Sequence, residues 1–103
     1  MTPQELEFMD KSILYFAFDM DTAQSDFDFE IAKNAYEAMQ LMRKVFTGEM
    51  LEVYPDKKRH LKKVEQGLLS GRLAVIGKMA VPNTPMVRQV WEDFQRISGE
   101  IPR

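Results

Sequence analysis

Five carboxylates fall within the twelve residues DMDTAQSDFDFE, positions 19–30, a density of oxygen ligands that first suggests metal chemistry. Read as a calcium loop, Asp19, Asp21 and Glu30 take positions 1, 3 and 12, where such loops anchor the ion. The other positions do not suit it. Ala23 stands where an oxygen ligand is needed, Gln24 where the sharp turn calls for glycine, and Asp26 where an apolar residue packs. A turn between two helices explains the same residues, because Asp26, Asp28 and Glu30 then lie near the positive N-terminus of the second helix. No metal and no other cofactor is expected.

The remaining chemistry-bearing residues form no catalytic set. FAFDMDTA resembles, over eight residues, the aspartate loop of haloacid-dehalogenase-type phosphatases, but a chain of 103 residues with a helical pattern leaves no room for the α/β domain that chemistry needs. His60 is the only histidine and there is no cysteine, which excludes multi-histidine and thiolate metal sites, disulfides and a cysteine nucleophile. GLLSGRLAVIG lacks the lysine and hydroxyl spacing of a phosphate-binding loop. The chain therefore reads as a non-enzyme. One run could bind a polyanion: DKKRHLKKVE gathers Lys57, Lys58, Arg59, Lys62 and Lys63 around the start of a helix. No second basic stripe with interleaved aromatics accompanies it, so a solvated face is the simpler reading.

The elements that position these residues are mostly helical. TPQEL places Thr2 as N-cap, Pro3 at the first helical position and Glu5 three residues after the cap. Leu6, Met9, Ile13, Phe16 and Met20 make one stripe of this helix, while Phe8, Tyr15 and Phe18 put aromatic surface on its other sides. SILYFAFDM also permits a strand, and periodicity does not separate the two over so short a run. Ser25 and Asp28 open a second helix in which Phe27, Ile31, Ala35, Ala38, Met42 and Val45 recur at helical spacing up to Gly48. Its alanines allow a neighbouring helix to approach closely. YPD at 54–56 reopens the chain, with Pro55 suited to the first turn of a third helix through Leu61, Val64 and Leu68. A break is expected near Gly71, then a short fourth helix, although RLAVIG also suits an extended segment. Thr84 and Pro85 start a last helix with Val87, Val90, Trp91, Phe94 and Ile97 on its apolar side.

Composition bounds the rest. One domain over residues 1–103 is expected, with 45% hydrophobic and 29% charged residues. The longest apolar run, ILYFAF, is far too short to span a bilayer, and the acidic start lacks a signal peptide's basic region, so a cytoplasmic protein is expected. Residues 1–54 carry eleven acids against four bases and residues 55–103 five against ten. Such polarity draws the halves together, favours antiparallel pairing of two copies, or leaves a basic face for a polyanion.

Glu65, Gly71, Gly77, Thr84, Pro85 and Trp91 stand at spacings found near the end of the helical C-terminal domain of ketopantoate reductases, which residues 65–91 resemble. Trp91 replaces that family's usual tyrosine. The family's Ser-Met motif, its catalytic lysine and asparagine and its nucleotide-binding domain have no counterpart, so the resemblance implies no activity. It implies a helix-turn-helix packing unit of the kind used there for core and dimer contacts.

The expectation is an all-α compact bundle of four to five helices with short loops. Nine of the eleven aromatics lie in residues 1–54, and the first helix has more apolar sides than one small bundle covers. A protein-protein interaction or assembly module follows, acting through Phe8, Tyr15 and Phe18 as a homodimer or with another protein. A regulatory nucleic-acid binder using residues 57–63 is the alternative, and a helical pocket for an apolar ligand, lined by Tyr36, Met39, Met42 and Trp91, is a third.

Overall fold

The computed structural model describes residues 1–55 and 57–100. Four helices and one hairpin run in the order α1 (Pro3–Thr22), α2 (Asp26–Thr47), α3 (Leu61–Leu69), β1 (Leu73–Ile76), β2 (Met79–Pro82) and α4 (Pro85–Glu100). The mostly helical expectation holds, but the bundle is interrupted by a small antiparallel sheet.

Local chemistry sets the helix ends. The Thr2 hydroxyl accepts from the Glu5 amide at 3.1 Å and the Glu5 carboxylate accepts from the Thr2 amide at 3.4 Å, closing the capping box. Ser25 caps α2 by accepting from the Asp28 amide at 3.1 Å, and Gly48 ends it in the left-handed region at φ 86°. Thr84 caps α4 by accepting from the Val87 amide at 3.3 Å. Residues 13–20 are helical, since α1 continues unbroken to Thr22.

Two expectations are corrected. Pro55 does not open α3: residues 57–60 form a turn, α3 begins only at Leu61, and Asp56 lies outside the described residues. The short fourth helix after Gly71 is a hairpin instead, with Leu73 opposite Pro82 and Ile76 opposite Met79. Gly77 supplies the positive φ, 60°, that a two-residue hairpin turn needs at its first central position, and β-branched residues flank it. The helix-turn-helix unit implied for residues 65–91 is therefore a helix, a hairpin and a helix.

Strand β2 joins the molecule's two apolar clusters. Its free edge pairs with Tyr54, whose amide donates to the Ala80 carbonyl at 2.9 Å. Side chains alternate between its faces: Met79 and Val81 enter the main core, while Ala80 joins Tyr54, Val64 and Leu73 beneath α3. The main core is built on α1, with Met9, Ile13, Leu14, Ala17 and Phe18 facing Val53, β2 and Val87, Val90 and Phe94 of α4.

Helix α1 is central, packed by α2 on one side and α4 on another. That enlarges its buried sector and corrects the placement of Phe18, which is fully buried rather than a surface aromatic. Its ring meets Trp91 edge-on at 4.9 Å between centroids and Phe94 at 5.3 Å. No helix among the described residues is long and apolar enough to cross a membrane.

Candidate interaction surface

Helix α2 faces the wrong way for its hydropathy. At 100° per residue, the positions turned to α1 and the 51–53 segment are Ala32, Tyr36, Met39, Gln40 and Arg43, of which only Ala32 and Gln40 are buried. The opposite side carries Phe27 (74% exposed), Ile31 (53%), Leu41 (60%) and Val45 (74%), together with Asn34 and Ala38. Of the apolar stripe read at helical spacing, Phe27, Ile31, Ala38, Met42 and Val45 are exposed and Ala35 is half-buried.

A polar clamp on the inner side holds α2 in this orientation. The Gln40 side-chain amide donates to the Leu51 carbonyl at 2.9 Å and accepts from the Leu51 amide at 2.8 Å, as a neighbouring strand would. It also donates to the Tyr36 hydroxyl at 3.2 Å, which in turn donates to the Val53 carbonyl at 3.0 Å. Arg43 binds Asp10 of α1 at 2.7 Å and donates to the Glu49 carbonyl at 2.7 Å. Burial pushes the Tyr36 phenol above its ordinary pKa, against the lowering effect of the Gln40 hydrogen bond. These groups satisfy one another, so the polar side of α2 packs inward without an orphaned buried side-chain atom among the described residues.

The exposed stripe continues onto α1. Phe8, 72% exposed, shares a groove with Met9, Met39, Met42 and Phe46, the last 62% exposed. Of the expected partner-binding residues, Phe8 thus lies on the surface, Tyr15 is half-buried with its ring 6.2 Å from Phe94, and Phe18 is in the core. Sequence reasoning missed Phe27, Ile31, Leu41, Val45 and Phe46 as surface residues. The signal was the spacing of Tyr36, Gln40 and Arg43, which gathers a phenol, an amide and a guanidinium on one side of the helix.

Taking roughly 150 to 200 Å² as the full surface of a large apolar side chain, the exposed parts of Phe8, Phe27, Ile31, Leu41, Met42, Val45 and Phe46 amount to about 800 Å². The largest patch on a monomeric protein is usually about 300 to 600 Å².

The other candidate residues are placed as follows. Lys57, Lys58 and Arg59 lie in the turn before α3 and Lys62 and Lys63 in its first turn, all exposed. His60 and Lys63 share a groove with Glu37, Glu49 and Glu52, so acids interrupt the basic run, and Glu52 pairs with Arg72 across the acidic and basic halves. Tyr36, Met42 and Trp91 line three separate grooves rather than one pocket. Asp19 and Asp21 end α1, while Asp26, Asp28 and Glu30 begin α2. Asp21 accepts from the Lys78 amide of the hairpin turn at 3.5 Å. Among the described residues no three metal-ligating side chains converge.

Compared with family models, curated proteins and solved structures, the chain matches none of them.

Proposed function

We propose that the protein is a non-enzymatic interaction module that docks the apolar face of a helix from another polypeptide against the outward side of α2 and the adjoining Phe8–Phe46 groove. The observation that carries this reading is the reversal of α2: its polar residues are fixed inside by paired hydrogen bonds, leaving Phe27, Ile31, Leu41 and Val45 in water. Burying those side chains against a helix is the strongest contribution this surface makes to any binding energy. Phe8 keeps the role expected from sequence, whereas Tyr15, with its ring beside Phe94 of α4, and Phe18 act only through the core.

The test is position-specific photo-crosslinking in cells that make the protein. A photoreactive phenylalanine at position 27 or 41 is expected to yield discrete protein adducts, and one at the exposed position 88 of α4 none. Equal labelling at all three, or none at any, overturns the reading.

A further inference from the structure

The outward residues of α2 advance in a pattern narrower than ordinary amphipathicity. Phe27, Ile31, Asn34, Ala38, Leu41 and Val45 are separated by 4, 3, 4, 3 and 4 residues, the alternation of a coiled-coil seam, over about 27 Å of helix. Every one of them is exposed. Resting on the interaction reading above, we infer that the occupant of this seam is the α2 helix of a second copy of the chain, running antiparallel.

Charge selects the partner and its direction. Asp26, Asp28 and Glu30 crowd the N-terminal end of α2, and Lys44 lies near its other end on the same flank as Glu30. About a two-fold axis beside residue 36, Phe27 meets the partner's Val45, Ile31 the partner's Leu41 and Asn34 the partner's Ala38. The same register sets Glu30 against the partner's Lys44, and symmetry repeats the pair at the other end. Helix dipoles then oppose one another. Parallel pairing would instead place both acidic ends side by side and align the dipoles. A like-charge approach remains at the axis, where Glu37 faces the partner's Glu37, with Lys33 one turn away on each chain.

Size and shape agree with a self-complementary interface. The partner's Phe27 arrives at the C-terminal end of α2, beside the groove of Phe8, Met42 and Phe46. The apolar patch of about 800 Å² per chain matches what each partner gives to an interface of standard size, about 800 Å². Asn34 opposite the partner's Ala38 places one polar group from each chain in the seam beside a side chain small enough to leave it room, a device that fixes register.

The absence of cysteine from the chain makes the test direct. Ile31→Cys combined with Leu41→Cys is expected to oxidise to a covalent dimer. Each single variant is expected not to, because in the antiparallel register like positions lie about 15 Å apart, beyond disulfide reach. Lys44→Glu should weaken dimerisation at least about tenfold, and adding Glu30→Lys should restore it. Efficient cross-linking of the single variants would overturn the antiparallel register. A chain that stays monomeric at about 100 μM while the position-27 photo-crosslinker captures a different protein overturns the second copy and leaves the interaction reading standing. No capture at all overturns both.

Discussion

Gln40 is a polar side chain at 4% exposure that ties two backbone groups of one residue, and replacing it tests whether the clamp orients α2. Gln40→Leu keeps the volume but leaves the Leu51 N–H without a partner and removes one of two donors from the Leu51 C=O, which still accepts from the Val53 amide at 2.9 Å. An orphaned buried group costs about 1 to 3 kcal/mol, and because Leu51 is only half-buried the lower figure applies to its N–H, with roughly 0.5 kcal/mol more for the donor its carbonyl loses. Loss of the donor to Tyr36 adds roughly 0.5 kcal/mol, since that hydroxyl keeps Val53. The extra apolar burial returns about 0.5 to 1 kcal/mol, giving a net loss of about 1 kcal/mol. Urea unfolding, with a slope of about 1 to 1.5 kcal/mol/M for so small a protein, should show the midpoint fall by about 0.8 M. Gln40→Glu sharpens the test, because a carboxylate still accepts from the Leu51 amide but repels its carbonyl. That variant should recover stability in acid, where the introduced carboxyl carries a proton to donate. A midpoint shift below about 0.5 M for Gln40→Leu at unchanged slope would refute the clamp.

Further outcomes follow from the same packing. Gly67→Ala, which in an open helix would gain about 1 kcal/mol, should lose about 1 to 3 kcal/mol, because the new Cβ would sit 2.6 Å from Cγ of buried Leu73; thermal unfolding reads the sign. The raised Tyr36 pKa means the folded state holds that proton more tightly than the unfolded chain. Its contribution is therefore complete below the ordinary phenol value near 10 and lost as pH rises above it, and in Tyr36→Phe this part of the alkaline loss should disappear from urea midpoints measured between pH 8 and 11. Lys62→Glu removes a cation from the first turn of α3, where the helix dipole opposes it, outside the acidic groove that holds Lys63, and should raise stability by about 0.3 to 1 kcal/mol.

The ends of the helices were legible because capping is local chemistry. Thr2 with Glu5, Ser25 with Asp28, Gly48, and Thr84 with Pro85 each act through atoms within a few residues. The hairpin was only half legible: Gly77 marked a turn, but RLAVIG and MAVP become strands because Tyr54, distant in sequence, adds a bridge to Ala80 and both faces of β2 find apolar neighbours. Phe18 was misplaced for a related reason, since the width of the buried sector of α1 depends on α2 and α4 packing on different sides. The orientation of α2 was the least legible feature. Its Phe27, Ile31 and Val45 stripe was plain, but hydropathy assigns such a stripe inward, whereas the side chain that fixes the helix is Gln40 bonded to Leu51.

The central claim is that the outward face of α2 joins two copies of the chain. Sedimentation equilibrium of the unmodified protein beside the paired variant Ile31→Glu with Leu41→Glu tests it most directly. A species of about 24 kDa, twice the 12.0 kDa chain, is expected for the unmodified protein, and a folded 12-kDa species for the variant. A 12-kDa species for the unmodified protein at every concentration, or a dimer that survives both glutamates, would contradict it.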